Sequence, residues 1–269
     1  MTPMMEDTGL EVLDLRCDEA FAARELHPRD ITMELDGLQR LSRAMLQRPD
    51  DILQELVRAA VDLCGADSAG ISIERVGGTD EQFYHWVATA GNYSGFLDAI
   101  LPKYPSACGL CLQRGTAQHF TVDKRFFDIL GVEAPLVTDG ILLPWSVDET
   151  RGTIFIMAHT RADAFDKNDV RLMTMLADFA AMGFKHQRQH ALMIMQERTA
   201  SAARMAHALA HEINNPLQSM TNTAFLLEEG ADVDSRALGR DLSNDLRRLS
   251  GLVRRLLAIP FDNTRSSTL

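Results

Sequence analysis
A chain of 269 residues is long enough for one substantial core and a smaller module, so two units are expected. Hydrophobic residues at 46% and charged residues at 24% exclude a disordered chain or a fibrous repeat, and a formal net charge of -11 opposes polyanions, so nucleic acid is not expected as a partner. The apolar stretches from Gly140 to Trp145 and from Gly152 to His159 are strand-length, far short of the roughly 18 residues of a membrane span, and no span is expected. The N-terminus carries Glu6, Asp7 and Glu11 without a basic segment leading into an apolar one, so no secretory leader is expected and the chain is placed in the cytoplasm. Four cysteines at Cys17, Cys64, Cys108 and Cys111 are too sparse for a disulfide framework, and reduced thiols are expected.

In chain order, residues 1–37 form a loosely ordered lead-in, with one short helix near Glu19 to Glu25. Leu38, Leu41 and Met45, then Ile52, Leu56, Ala60 and Leu63 after Pro49, recur at helical spacing and mark two helices with one buried face. Ser68 to Glu74 and Gln82 to Ala90 alternate on either side of Gly77 and Gly78 and predict a hairpin. After a Gly- and Pro-punctuated stretch, Thr116 to Val122, Gly140 to Val147 and Gly152 to His159 predict three more strands. The fold class is α+β, an antiparallel sheet with helices packed on one face.

From about Lys167 to Glu229 the only glycine is Gly183 and the only proline is Pro216, which predicts one very long helix or two collinear ones. After a break at Gly230 to Asp234, Leu238, Leu242, Leu246, Leu249, Val253 and Leu256 mark a second helix ending at Pro260, and together they form an all-α helical hairpin. Two such hairpins would close a four-helix bundle, so a homodimer is expected. On the first helix Met205, Leu209, Ile213, Leu217 and Met220 are read as the buried stripe, with His211 turned about 200° from Leu209 onto a wet face. Asn215 lies one turn after His211 on the same face, His207 one turn before, and Glu212 beside it, while Pro216 removes a backbone donor and should bend the helix. A zinc-protease pattern fails because the position four after His211 is Asn215, and His207 with His211 is too small a set for a metal, so none is assigned.

The run Ala206-His207-Ala208-Leu209-Ala210-His211-Glu212-Ile213-Asn214-Asn215-Pro216-Leu217 resembles the H-box of the HisKA dimerisation and phosphotransfer domain of sensor histidine kinases. The resemblance implies His211 as phosphoacceptor, Glu212 as the acid/base on the ring proton, and Asn215 as the residue that positions water when a regulator's aspartyl phosphate is hydrolysed. An imidazole nitrogen is a good nucleophile and phosphoryl transfer needs mainly alignment and charge stabilisation, so these residue types suit the chemistry. The region from Leu38 to His186 resembles a GAF domain through Ser106 to Gly115, Leu142-Leu143-Pro144-Trp145, Gly152 to Ile156 and Phe165-Asp166. Residues 187–260 are then the HisKA-like domain and 261–269 a tail.

Cys108 and Cys111 have a Cys-x-x-Cys spacing, read as two small residues packed beside a helix start rather than a redox or metal pair. Trp86, Trp145, Tyr84, His85 and His119 are candidates to line a pocket, with no ligand assigned. Arg247, Arg248, Arg254 and Arg255 make a basic strip that would suit the acidic pocket of a response regulator receiver domain. Nothing after Pro260 resembles an ATP-binding domain, so ATP is expected to act only through another domain or a separate kinase, with the chain either a fragment or a phosphorelay protein charged in trans. The alternative is a non-enzymatic dimeric scaffold that binds or sequesters a regulator.

Overall fold
The computed structural model describes residues 8–75, 77–229 and 233–258, with side chains of residues 234–253 in the last stretch. The expected break from Gly230, the stop at Pro260 and the tail lie in part or wholly outside these residues. The chain divides into two compact units, Met1–His190 and Ala191–Leu269.

In the first unit β1 (Leu10–Asp14) and α1 (Glu19–Ala22) precede two helices, α2 (Ile31–Gln47) and α3 (Ile52–Cys64). Asp30 caps α2 by accepting from the backbone N–H groups of Thr32 and Met33, and Pro49 to Asp51 form the 3-10 turn that leads into α3. The hairpin follows as β2 (Ser68–Glu74) and β3 (Tyr84–Gly91), with a register shift at Ile71/Ser72. Next come β4 (Ile100–Leu101), α4 (Ala107–Arg114), β5 (Gln118–Val122), α5 (Lys124–Leu130), β6 (Val137–Val147) and β7 (Thr150–Ala158). The sheet has seven strands in the order β1-β5-β6-β7-β2-β3-β4, and all its pairings are antiparallel.

Two expectations are corrected. The lead-in contains an ordered edge strand, since β1 pairs with β5 from Leu10↔Val122 to Asp14↔Gln118; residues 1–7 lie outside the description. Helices also cover both faces of the sheet rather than one. The reason is that β6 and β7 are apolar on both sides, which leaves neither face fit for water. Ile141, Leu143, Ile154 and Ile156 join Leu53, Leu56, Leu172 and Leu176 in one core, under α2, α3 and the start of α6 (Lys167–Glu228). Leu142, Phe155 and Met157 face the other way and join Phe120, Phe126 and Phe127 in a second core, beneath α4 and α5.

The start of α6 is fixed by a reciprocal cap. Asp166 accepts from the N–H groups of Asn168 and Asp169, and Asp169 accepts from the N–H of Asp166 at 3.0 Å. Arg29 pairs with Asp169 and donates to the Leu63 carbonyl at 2.8 Å, which ties the residues before α2 to this helix start. A second buried polar network holds β1 and α1 to the sheet. His119 sits between two carboxylates, with Nδ1 2.9 Å from Asp18 and Nε2 2.7 Å from Asp139. The fully buried Asp139 also accepts from Arg24 at 2.9 Å and from the Phe165 N–H at 3.0 Å.

The second unit contains the rest of α6 and α7 (Val233–Ala258). Leu217 and Ala224 of α6 pack on Leu246 of α7, with Leu242 and Val253 beside them. Gly239 allows the close approach near the turn: a Cβ there would lie 2.8 Å from the Ala224 carbonyl oxygen and 2.7 Å from the Glu228 nitrogen.

Candidate functional site
His211 lies in the second unit on α6, which runs through Pro216 without interruption. His207, His211 and Asn215 follow one another at four-residue steps and share a face, and all three are exposed, as is Glu212. Among the described residues no hydrogen bond or ion pair engages the side chains of His211, Glu212 or Asn215. The His211 side chain is exposed.

The expected contrast between a wet histidine face and a buried stripe is not found within one chain. Of the stripe residues only Leu217 is buried; Met205 is 65% exposed, Leu209 55%, Ile213 43% and Met220 51%. The buried positions of the helix here are Ala210, Leu217 and Ala224, seven residues apart, so the intrachain seam falls on a heptad with small residues at two of three places. An antiparallel pair of helices buries only the side on which they touch, and Met205, Leu209, Ile213 and Met220 stay exposed among the described residues.

Arg247 and Arg248 are exposed on α7, and Arg247 Nε donates to the Ser243 carbonyl oxygen at 3.3 Å. Arg254 and Arg255 lie outside the residues whose side chains are described.

In the first unit, the five pocket candidates are dispersed. Of the five, Trp86 lines an apolar cavity on the second face of the sheet. Trp145 belongs to the core under α3 and α6, Tyr84 to the opposite core, and His85 pairs with Asp98 at 3.0 Å. His119 is spent on the Asp18 and Asp139 network. Sequence reasoning missed the phenylalanines of β5, α5 and β7 that line the cavity, because sheet aromatics carry no signal for which face they occupy until the strand order is known.

Cys108 and Cys111 are both free and buried. The Cys108 sulfur accepts from Thr153 Oγ1 at 3.2 Å and Ser72 Oγ at 3.5 Å, and the Cys111 thiol donates to the Thr116 carbonyl at 3.4 Å. Burial pushes both thiols up from their usual range, which makes them poor nucleophiles. The ligand-capable atoms of His27, Asp166 and Asp169 lie within 4.8 Å of one another. Asp169 is already paired with Arg29 and Asp166 caps α6, so the helix start accounts for the cluster.

Comparison with known proteins follows the same division. The GAF domain family matches residues 48–184, just over half of the chain, and the His Kinase A (phospho-acceptor) domain family matches residues 201–259. Similar solved structures include the GAF domain of a phosphoenolpyruvate-protein phosphotransferase from Coxiella burnetii, at 18% identity and a TM-score of 0.47, covering 60% of this chain and 98% of that one. The corresponding domain from Acinetobacter is 15% identical with a TM-score of 0.46, covering 60% and 97%. The GAF domain of a putative sensor histidine kinase from Pseudomonas syringae pv. tomato is 15% identical with a TM-score of 0.40, covering 61% and 94%. No curated protein sequence matches the chain. Among the described residues no helix is long and apolar enough to cross a membrane. The chain belongs to the GAF family and continues into a HisKA phospho-acceptor domain, the combination of a two-component signalling protein of sensor histidine kinase type.

Proposed function
We propose that His211 is the phosphoacceptor of a phosphorelay, coupled to sensing by the GAF domain. The observation that carries this reading is an exposed His211-Glu212 pair followed by Asn215 and Pro216 in an otherwise strong helix, where none of the three polar side chains is hydrogen-bonded or ion-paired among the described residues. Residues that break local propensity without a packing reason mark functional positions.

In the proposed step a lone pair on a ring nitrogen of His211 attacks phosphorus and a P–N bond forms. The bond from phosphorus to the donor oxygen breaks, its electron pair leaves with the donor, and Glu212 takes the proton from the ring. The donor is an aspartyl phosphate on a receiver domain, or ATP held by a kinase domain elsewhere. Asn215, one turn on, orients water when regulator phosphate is hydrolysed. Arg247 and Arg248 face the acidic receiver, and Met205, Leu209, Ile213 and Met220 form the seam on which a second copy completes a four-helix bundle. Receiver domains and their kinases meet in the cytoplasm, where this reading places the chain.

Incubation of the chain with phosphorylated response regulators, and separately with a kinase and ATP, is expected to give acid-labile phosphate on the chain or loss of regulator phosphate. The Asn215→Ala variant should slow regulator dephosphorylation by about 100-fold, the lower end of the range for one positioned group at a reacting centre. No acid-labile phosphate and no loss of regulator phosphate with any receiver would contradict the proposal.

A further inference from the structure
His207 and His211 stand four residues apart on α6, which is helical without a break from Lys167 to Glu228. At that spacing two side chains lie about 40° apart around the axis with Cβ atoms roughly 6 Å apart, so the two rings rise from successive turns of one face. Both residues are exposed, and among the described residues neither imidazole takes part in a hydrogen bond or an ion pair. With no partner there to fix tautomer or rotation, each ring can turn one nitrogen lone pair toward a common point.

The surroundings of the pair suit a particular class of ion. Ala208 and Ala210 flank the face with methyl groups only, and the exposed Arg204 stands a turn before His207, outside the interval between the rings. The nearest acid, Glu212, is turned about 100° from His211, so the face presents imidazole nitrogen and no carboxylate. Imidazole suits zinc, nickel and copper ions, whereas magnesium and calcium take oxygen ligands. The zinc-protease pattern fails downstream of His211, at Asn215, but its helical histidine pair at a spacing of four is met upstream, at His207.

We propose that His207 and His211 together bind a divalent transition-metal ion, and that the bound ion withholds His211 from phosphoryl transfer. Each ring gives the ion the lone pair of one nitrogen, two waters leave the aqua ion, and water keeps its remaining positions, which makes the site reversible rather than structural. The other nitrogen of each ring carries the proton, so a metal-bound His211 has no lone pair to offer phosphorus. The metal site stands without the reading of His211 as phosphoacceptor, while its effect on transfer rests on that reading.

Binding is measured first, with no phosphate donor present, by calorimetric titration of the full chain with NiCl2 or ZnCl2, and with MgCl2 as the control ion. The chain has eight histidines, so variants identify the site. His207→Gln should weaken Ni2+ and Zn2+ binding at least about tenfold, since even loss of a group that only orients a metal ligand costs about 10- to 100-fold. The double variant His207→Ala with Ala206→His keeps the number of imidazoles but sets the pair about 140° apart, and it should lose the site equally. Mg2+ should not bind at the pair, and melting temperatures confirm that the variants are folded. In the second arm, Zn2+ should cut phosphate on His211 at least tenfold and EDTA should restore it, whereas phosphate on His207→Gln, from the same donor, should be equal with and without Zn2+. Absence of Ni2+ and Zn2+ binding, or equal affinity in the chain and both variants, would overturn the site, and equal inhibition of the chain and His207→Gln would overturn the regulation. A chain that takes no phosphate even without metal would instead refute the phosphoacceptor reading, with the site decided by calorimetry alone.

Discussion
Replacing His211 with glutamine is expected to reduce phosphate uptake by the chain at least a hundredfold, to background, while leaving its circular dichroism and melting temperature unchanged. The two halves of this expectation have separate causes. Glutamine has no nucleophilic nitrogen, so no P–N bond can form, whereas loss of an alignment group alone would leave residual transfer. The fold is indifferent because the ring is exposed and, among the described residues, unbonded, and a glutamine is as good a helix former. A scaffold that only binds a regulator would show the opposite: retained signalling output in the variant. Phosphate assays beside a cellular output assay therefore separate the two readings.

Asp139→Ala is expected to destabilise the GAF domain by about 3–5 kcal/mol, the cost of removing one partner from a buried ionic network. Asp139 is fully buried and joins Arg24, His119 and the Phe165 N–H, so its loss leaves the Phe165 N–H unpaired, the imidazole with Asp18 alone and the guanidinium with Asp163 and the Phe165 carbonyl. Chemical denaturation followed by tryptophan emission measures the loss; a change below about 1 kcal/mol, the usual size for a surface ion pair, would show that the network is not structural.

The same network gives stability a pH dependence. Burial opposes the charged form of His119, but hydrogen bonding and charge from Asp139, then Asp18, outweigh it and raise its pKa. Its contribution is thus fully present below the unfolded value of about 6.5 and is lost as pH rises through the raised folded value. Asp139 and Asp18 are also opposed by burial but are held below the usual carboxylate range, Asp139 by His119 and Arg24, and Asp18 by the Phe21 N–H and His119. Their contribution is present above about 3.9 and is lost as pH falls through the depressed folded values. Denaturation midpoints should decline on the alkaline side, and His119→Gln should flatten that decline.

What the sequence revealed depended on how local the signal was. Alternation in Ser68 to Glu74 and the apolar runs of β6 and β7 marked strands because side-chain period is a property of the segment itself. The His211 to Pro216 run was legible for the same reason. By contrast β1 is five residues of mixed polarity, stabilised by backbone pairing with β5 more than a hundred residues away, and Asp139 meets Arg24 across 115 positions. Neither leaves a trace in a short window. The α5 helix is only seven residues, set between the Asp123 cap and Gly131, too short to show an apolar period. The stripe from Met205 to Met220 was assigned to burial because periodicity shows that a face is apolar, not which partner covers it. Among the described residues α7 packs on the seam at Leu217 and Ala224.

The central claim is tested most directly by locating the phosphoryl group. After exposure of the full chain to a phosphorylated receiver domain or to a kinase with ATP, tandem mass spectrometry at neutral pH should place the phosphate on the ring of His211, in the peptide that also contains Glu212 and Asn215. Phosphate found instead on His207 or on another residue, with His211 unmodified, would contradict the account.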